Sequence, residues 1–156
     1  MDDIFSIKLR AMPPIGFVLV LLGVSYALEL ILVLLQTQFE ALRYDGVPEA
    51  IQSAGLLGRL LIGSLLAPAV ETALFQWAPT RLLRTKLRLP WPFVIFASAF
   101  LFAITHSYSV GYVVFALTFG LVLAYGFAAR DAAGKSPFFL IFVVHAIRNG
   151  IASLLI

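Results

Sequence analysis

The chain has 156 residues, of which 62% are hydrophobic and 12% are charged, and its mean hydropathy is +1.01. A soluble domain is nearer half apolar and a quarter charged, so the composition excludes an ordinary soluble domain. The lack of cysteine excludes disulfides, thiol catalysis and thiolate metal sites. A net charge of +3 does not predict a nucleic-acid partner, because the basic residues lie between apolar runs, as topology determinants do.

Five apolar runs are each near the ~20 residues that a helix needs to cross the hydrocarbon core of a bilayer. They cover residues 14–36, 55–78, 91–107, 111–129 and 137–156. We therefore predict an all-α, polytopic membrane bundle of about five transmembrane helices. The first run is too long for a signal peptide and lacks a small-residue cleavage site, so we interpret it as an anchor.

The basic residues predict the orientation of the bundle. Alternating spans place all but one of the loop and terminal Lys and Arg residues on the same side of the membrane: Lys8, Arg10, Arg81, Arg84, Lys86, Arg88, Arg130 and Lys135. The positive-inside rule then puts the N-terminus in the cytoplasm and the C-terminus outside. The short length and the lack of a transit peptide favour a bacterial plasma membrane.

Two charged residues in the first two spans are predicted at similar heights. Glu29 lies ~22 Å above the inner end of span one, and Arg59 lies ~6 Å below the outer end of span two. A charge in hydrocarbon must be paired or hydrated, so we expect a Glu29–Arg59 ion pair near the outer face. Arg148 of span five would join this pair or line a cavity.

Spans two, three and five carry further polar residues. Glu71 follows Pro68, which loosens a helix, and irregular helices at membrane depth usually line a cavity. His106 ends span three, and His145 and Asn149 share one face of span five. A lone intramembrane His usually forms an interhelical hydrogen bond, but a carboxylate with two imidazoles can also bind a metal or activate water. The chain has no H-E-x-x-H zinc motif, no Asp within a span and no G-x-S-x-G elbow.

Three motifs in order resemble a known family. They are E-T-A-L-F-Q at 71–76, F-A-I-T-H at 102–106 and H-A-I-R-N at 145–149. This pattern is similar to E-E-x-x-x-R, F-x-x-x-H and H-x-x-x-N of the CAAX-processing and bacteriocin-processing (CPBP or Abi) intramembrane proteases, the type II CAAX prenyl endopeptidases. The resemblance covers residues 55–156, which we expect to form the protease core, and leaves 1–54 as an anchor helix and outer loop.

The resemblance implies a helical bundle around a polar intramembrane cavity. It implies that Glu71, helped by His106, activates water to hydrolyse a membrane-embedded or lipid-anchored peptide. His145 and Asn149 would stabilise the oxyanion, and no cofactor would be needed. In a metal-dependent alternative, Glu71, His106 and His145 would hold a divalent ion such as zinc.

Two features of the sequence depart from this expectation. The second Glu and the Arg of the first motif are replaced by Thr72 and Gln76, which we interpret as the loss of a structural pair, while Phe102 of the second motif is kept. In straight spans His106 would also lie ~24 Å above Pro90, whereas Glu71 would lie ~15 Å above Arg81. Two alternatives therefore stay open: a non-catalytic scaffold that uses the Glu/His network structurally, and a proton pathway.

Overall fold

A computed structural model describes residues 4–43 and 53–155. Within these ranges all regular structure is helical: α1 Ile4–Ala11, α2 Pro14–Gln36, a 3₁₀ turn Glu40–Leu42, α3 Gly55–Lys86, α4 Trp91–Ile104, α5 Val110–Ala132 and α6 Phe138–Leu155. Helices α2, α3, α5 and α6 are long and apolar enough to cross a membrane, and α4 is a shorter apolar helix. The predicted all-α, multi-pass bundle is confirmed. The predicted outer loop at 44–49 lies outside the described residues.

Helix α3 is longer than predicted. The sequence suggested a span that ends at residue 78, but α3 continues to Lys86. The prediction was wrong because Arg, Lys and Leu are good helix formers, and long basic side chains reach the membrane interface without breaking the helix. Three stretches of α3 form wide turns with i→i+5 hydrogen bonds: Arg59–Leu66, Thr72–Trp77 and Thr80–Lys86.

Helix α4 is shorter than the predicted span over 91–107. It ends at Ile104, and His106 therefore lies in the turn that follows. Helix α5 begins at Val110, where the Ser109 hydroxyl accepts a hydrogen bond from the Tyr112 N–H at 3.1 Å. Such a cap satisfies one of the N–H groups that the first turn of a helix leaves free.

Helix α5 is the centre of the bundle. Helices α1, α2, α4 and α6 all pack against it, and α3 packs mainly against α6. The buried core includes Phe17, Leu21, Phe102, Leu123 and Phe127. Large apolar side chains on α2 and α3 point outward and are exposed, as expected of helices that face lipid.

Hydrogen bonds from basic side chains hold one end of the bundle together. The buried Arg130 donates from Nη2 to the Met12 carbonyl at 2.9 Å, and its guanidinium lies 4.4 Å from the centre of the Phe17 ring. Lys135 Nζ donates to the Arg10 carbonyl at 2.7 Å. These contacts tie the connection between α1 and α2 to the far end of α5.

Candidate active site

The structure brings together three residues that the sequence singled out. Glu71 of α3 lies between two imidazoles: its Oε1 is 3.9 Å from His106 Nε2, and its Oε2 is 3.3 Å from His145 Nε2. The difference in height expected from straight spans disappears because α3 extends to Lys86. Glu71 then lies ~22 Å above the lower end of its helix, close to the ~24 Å of His106 above Pro90.

The orientation of the His106 ring is fixed by the end of α4. Its Nδ1 lies 2.8 Å from the carbonyl oxygen of Phe102. A carbonyl oxygen only accepts, so Nδ1 carries the proton in neutral His106, and Nε2 presents a lone pair to Glu71. The Tyr112 ring stacks against the imidazole, with 6.0 Å between ring centres. His106 therefore faces the carboxylate as a second acceptor.

His145 is held differently. Its side chain is 2% exposed, and the rings of Phe102 and Phe119 meet it edge-on at 5.6 and 5.2 Å. Its Nδ1 is buried and has no hydrogen-bond partner among the described residues. The proton of neutral His145 is thus placed on Nε2, where it points to Glu71 Oε2. Glu71 has a donor on one side and an acceptor on the other.

Asn149 connects α6 to a gap in the backbone hydrogen bonding of α3. Its Nδ2 donates to the Gly63 carbonyl at 2.9 Å. In this wide turn the Gly63 carbonyl would accept a hydrogen bond from the N–H five residues on, but that residue is Pro68, which has no N–H. The neighbouring Ala67 N–H is not available, because it donates to the Ile62 carbonyl. The side chain of Asn149 supplies the missing donor, and one N–H of its amide is left over for a further partner.

These side chains line a cavity of about 220 Å³. Glu71 is 22% exposed and His106 is 17% exposed, so both reach the cavity, and His145 and Asn149 also line it. Helix α2 contributes Glu29, and α6 contributes Arg148. Most other lining residues are Phe, Tyr and Ala. The structure therefore contains a cavity bordered by these polar side chains, and its position within the membrane stays a prediction.

The prediction of a Glu29–Arg59 ion pair is wrong. Glu29 Oε2 accepts a hydrogen bond from Arg148 Nη2 at 2.9 Å, and no ion pair joins Glu29 to Arg59. The reason is that α2 packs against α5 and α6, so its inner face meets Arg148 first. The guanidinium of Arg148 also lies over the Tyr26 ring at 4.4 Å.

Thr72 and Gln76 do not line the cavity. Both side chains are fully buried, and Thr72 Oγ1 and both polar atoms of Gln76 make no hydrogen bond to any residue that the structure describes. Next to them, the Ser98 hydroxyl donates to the Phe75 carbonyl. The interpretation of Thr72 and Gln76 as the remains of a structural pair stays a prediction.

The three side chains of the metal-dependent alternative do not form a metal site in this arrangement. Over residues 4–43 and 53–155, no group of three or more His, Asp or Glu side chains is placed to hold an ion. A metal-binding His almost always donates its other ring N–H to a neighbouring acceptor, and His145 Nδ1 has none among the described residues. The metal-free assignment remains a prediction.

Sequence reasoning missed three features of the site. It did not identify Tyr112, which stacks on His106, or Gly63, whose carbonyl accepts a hydrogen bond from Asn149. A signal for Gly63 was present, since Pro68 removes a donor five residues further on. It also left open where Arg148 lies, because helix height alone does not give the direction of a side chain.

A family model described as Type II CAAX prenyl endopeptidase Rce1-like matches residues 53–151, more than half of the chain. The matched region contains all three motifs, and α2 lies outside it. No curated protein and no solved structure matches the chain. The suspected resemblance is thereby confirmed, and the multi-pass helical bundle agrees with it. The chain belongs to the Rce1-like family of type II CAAX prenyl endopeptidases.

Proposed function

We propose that this protein is an intramembrane endopeptidase that hydrolyses membrane-associated peptides or protein tails with water activated by Glu71 and His106. Membership of the family supports a protease-type enzyme in general. The specific chemistry rests on one observation. Glu71 Oε1 and His106 Nε2 are 3.9 Å apart, both are acceptors, and both border the cavity.

Two acceptors at this distance are suited to hold one water molecule. They are too far apart for a direct hydrogen bond, but a water that donates one proton to each can sit between them at ordinary hydrogen-bond lengths. A carboxylate in that position can remove the proton as the water oxygen attacks a carbonyl carbon. The Phe102 carbonyl keeps His106 Nε2 turned toward this water by holding Nδ1.

The remaining steps use groups that border the same space. The water oxygen bonds to the peptide carbon, and the carbonyl oxygen becomes an oxyanion. The second amide N–H of Asn149 would donate to it. The Nε2–H of His145, which faces Glu71 Oε2 at 3.3 Å, would turn to the oxyanion once Glu71 has taken the proton from water and lost its charge. Donors fixed in a water-poor site stabilise such charge strongly. The C–N bond then breaks, and Glu71 transfers the proton it took from water to the leaving amine.

The scaffold alternative requires the Glu/His network to satisfy itself. In the structure the distance from Glu71 Oε1 to His106 Nε2 is too long for a hydrogen bond, and both side chains open onto the cavity. A purely structural network has no need of such an opening. The open side of Glu71 favours the enzyme over the scaffold.

The substrate, membrane and orientation complete the proposal. The substrate is a membrane-embedded or lipid-anchored peptide, of which a prenylated tail is one form. The membrane is a bacterial plasma membrane. The N-terminus is cytoplasmic, because most of the basic residues between the spans lie at the end of the bundle that carries Arg130 and Lys135. Division into an anchor over 1–54 and a core over 55–156 is part of the same proposal.

The test compares Glu71→Gln with the wild type on a panel of membrane-tethered reporter peptides, using protein purified in detergent. The substitution keeps size and polarity but removes the base. A matched control is Glu40→Gln, which makes the same change at an exposed position of the 3₁₀ turn. We expect Glu71→Gln to abolish cleavage and Glu40→Gln to retain it. Cleavage that survives Glu71→Gln would refute the mechanism.

Addition of a chelator to the wild-type reaction tests the metal-dependent alternative separately. Activity that survives the chelator supports a carboxylate that holds water directly. Activity that is lost with the chelator and restored by added zinc would establish the metal-dependent alternative instead.

A further inference from the structure

The ion pair between Glu29 and Arg148 lies in the wall of the cavity and has no role in the proposed hydrolysis. Arg148 is 5% exposed, and Glu29 approaches its Nη2 at 2.9 Å. Both residues line the same cavity as Glu71 and His106. Glu29 comes from α2, which lies outside the residues that the family model matches. The pair therefore joins a helix outside the matched region to a helix inside it.

We propose that Glu29 is a specificity-determining residue: by occupying Arg148 it prevents the cavity from accepting an anionic substrate group. The proposal rests on the proposed function, because it concerns the substrate of the same site. The substrate class that follows is a peptide whose residues beside the cleaved bond are uncharged or cationic.

The charges of the cavity lining support this selectivity. Among the described residues, the charged side chains that line the cavity are Glu29, Glu71 and Arg148. With neutral imidazoles and an ionised Glu71, these lining residues carry one net negative charge. Of the described lining residues, Arg148 is the cation that could balance a substrate carboxylate, and Glu29 already pairs with it.

The packing around Arg148 makes exchange of its partner unfavourable. Its guanidinium lies near three aromatic rings, at 4.4 Å from Tyr26, 5.3 Å from Phe115 and 5.2 Å from Phe119. These rings pack around the guanidinium and hold it beside Glu29. A substrate carboxylate that displaced Glu29 would leave that side chain as an unpaired charge in the bundle, which is strongly destabilising.

The experiment uses pairs of membrane-tethered peptides that differ only by Gln or Glu at one position near the cleaved bond, which product masses locate. We expect the wild type to prefer the Gln peptide by about tenfold at one or more positions, equivalent to about 1.4 kcal/mol. In Glu29→Gln, Arg148 is free to bind the substrate carboxylate, and the preference falls to near one or inverts. A merely structural Glu29 would change both peptides alike and leave the ratio intact.

Two further variants identify the source of the change. Glu40→Gln, at the exposed turn, is expected to keep the wild-type ratio. The double variant Glu29→Gln/Arg148→Met removes the cation as well, so the preference for the Gln peptide should return. A ratio that stays at the wild-type value in Glu29→Gln, or a change that persists in the double variant, would overturn the proposal.

Binding separates this proposal from the proposed hydrolysis. The same peptide pairs, carrying a photo-crosslinker, report capture in the cavity whether or not cleavage follows. If Glu29→Gln shifts the capture ratio while no peptide is cleaved, the specificity pair stands and the hydrolase proposal fails. Cleavage with an unchanged capture ratio gives the reverse result. Capture of neither peptide would reject both.

Discussion

The side-chain amide of Asn149 donates to the Gly63 carbonyl in place of a backbone N–H. The residue that would donate to this carbonyl in the wide turn is Pro68, which has no N–H. The bond from Asn149 Nδ2 to the Gly63 carbonyl is 2.9 Å long and joins two helices at the wall of the cavity. A carbonyl buried without a donor costs about 1–3 kcal/mol, so this contact stabilises the wide turn of α3. Asn149 thus has a structural role besides the one proposed in hydrolysis.

Asn149→Ala is expected to lower the free energy of unfolding by about 1–3 kcal/mol because it leaves the Gly63 carbonyl unpaired. Pro68→Ala restores a backbone N–H at the position that would otherwise bond Gly63. The double variant should therefore lose less stability than Asn149→Ala alone. Unfolding of the four proteins in mixed detergent micelles gives the coupling energy, and a coupling of zero would contradict the missing-donor explanation.

His106→Gln is expected to reduce the rate of cleavage by about 10²- to 10⁴-fold, the range of general acid–base contributions. A Gln amide oxygen can accept a hydrogen bond, but it is a much weaker base than an imidazole nitrogen, so it polarises the water less. Single-turnover cleavage of a reporter peptide measures the effect. The unfolding temperature of the variant serves as the control, since a folded protein with an unchanged rate would remove His106 from the mechanism.

Gln76→Met is expected to leave the stability of the protein unchanged or to raise it. The Gln76 amide is buried without a hydrogen bond to any described residue, so an apolar side chain of similar length relieves a desolvation cost. Gln76→Glu should instead lower the free energy of unfolding, because it adds an unpaired buried charge. Thermal unfolding of both variants decides the matter. A large loss in Gln76→Met would show that the amide has a partner.

Gly111→Ala is expected to destabilise the protein by about 1–3 kcal/mol, as overpacking does. A Cβ at this position would lie 2.1 Å from the Leu42 carbonyl oxygen, where α5 begins beside the 3₁₀ turn. Gly23→Ala is the matched control in α2, because nothing lies within 4 Å of its added Cβ. That variant should keep or raise the unfolding temperature. Equal effects of the two substitutions would contradict the close approach.

The apolar runs predicted α2 to α6 and most of their limits, since a bilayer demands long uninterrupted hydrophobic segments, but they did not predict the short helix α1. They did not predict that α3 would pass Arg81 and continue to Lys86. A run of basic residues after an apolar segment is compatible with a loop and also with a helix that continues beyond the membrane. That error alone produced the apparent mismatch in height between Glu71 and His106.

The residues of the candidate site were predicted from the spacing of the motifs, but the ion pair beside it was not predicted correctly. Glu71, His106, His145 and Asn149 lie on one cavity, as the motifs suggested. The partner of Glu29 was predicted incorrectly, because residue counts give the depth of a side chain in the membrane but not its direction around the helix axis. Which helices are neighbours decides such pairs, and that information is absent from a single sequence.

Helix α4 has 14 residues and is ~21 Å long, well short of the ~30 Å hydrocarbon core of a typical bilayer. This hydrophobic mismatch means that lipids beside α4 must shorten or tilt their acyl chains, or let headgroups and water sink toward the turn that carries His106. The polar boundary of the membrane therefore reaches deepest beside the turn that carries His106, next to the cavity. Acyl-chain length in the surrounding bilayer thus becomes a physical control over how readily water reaches Glu71.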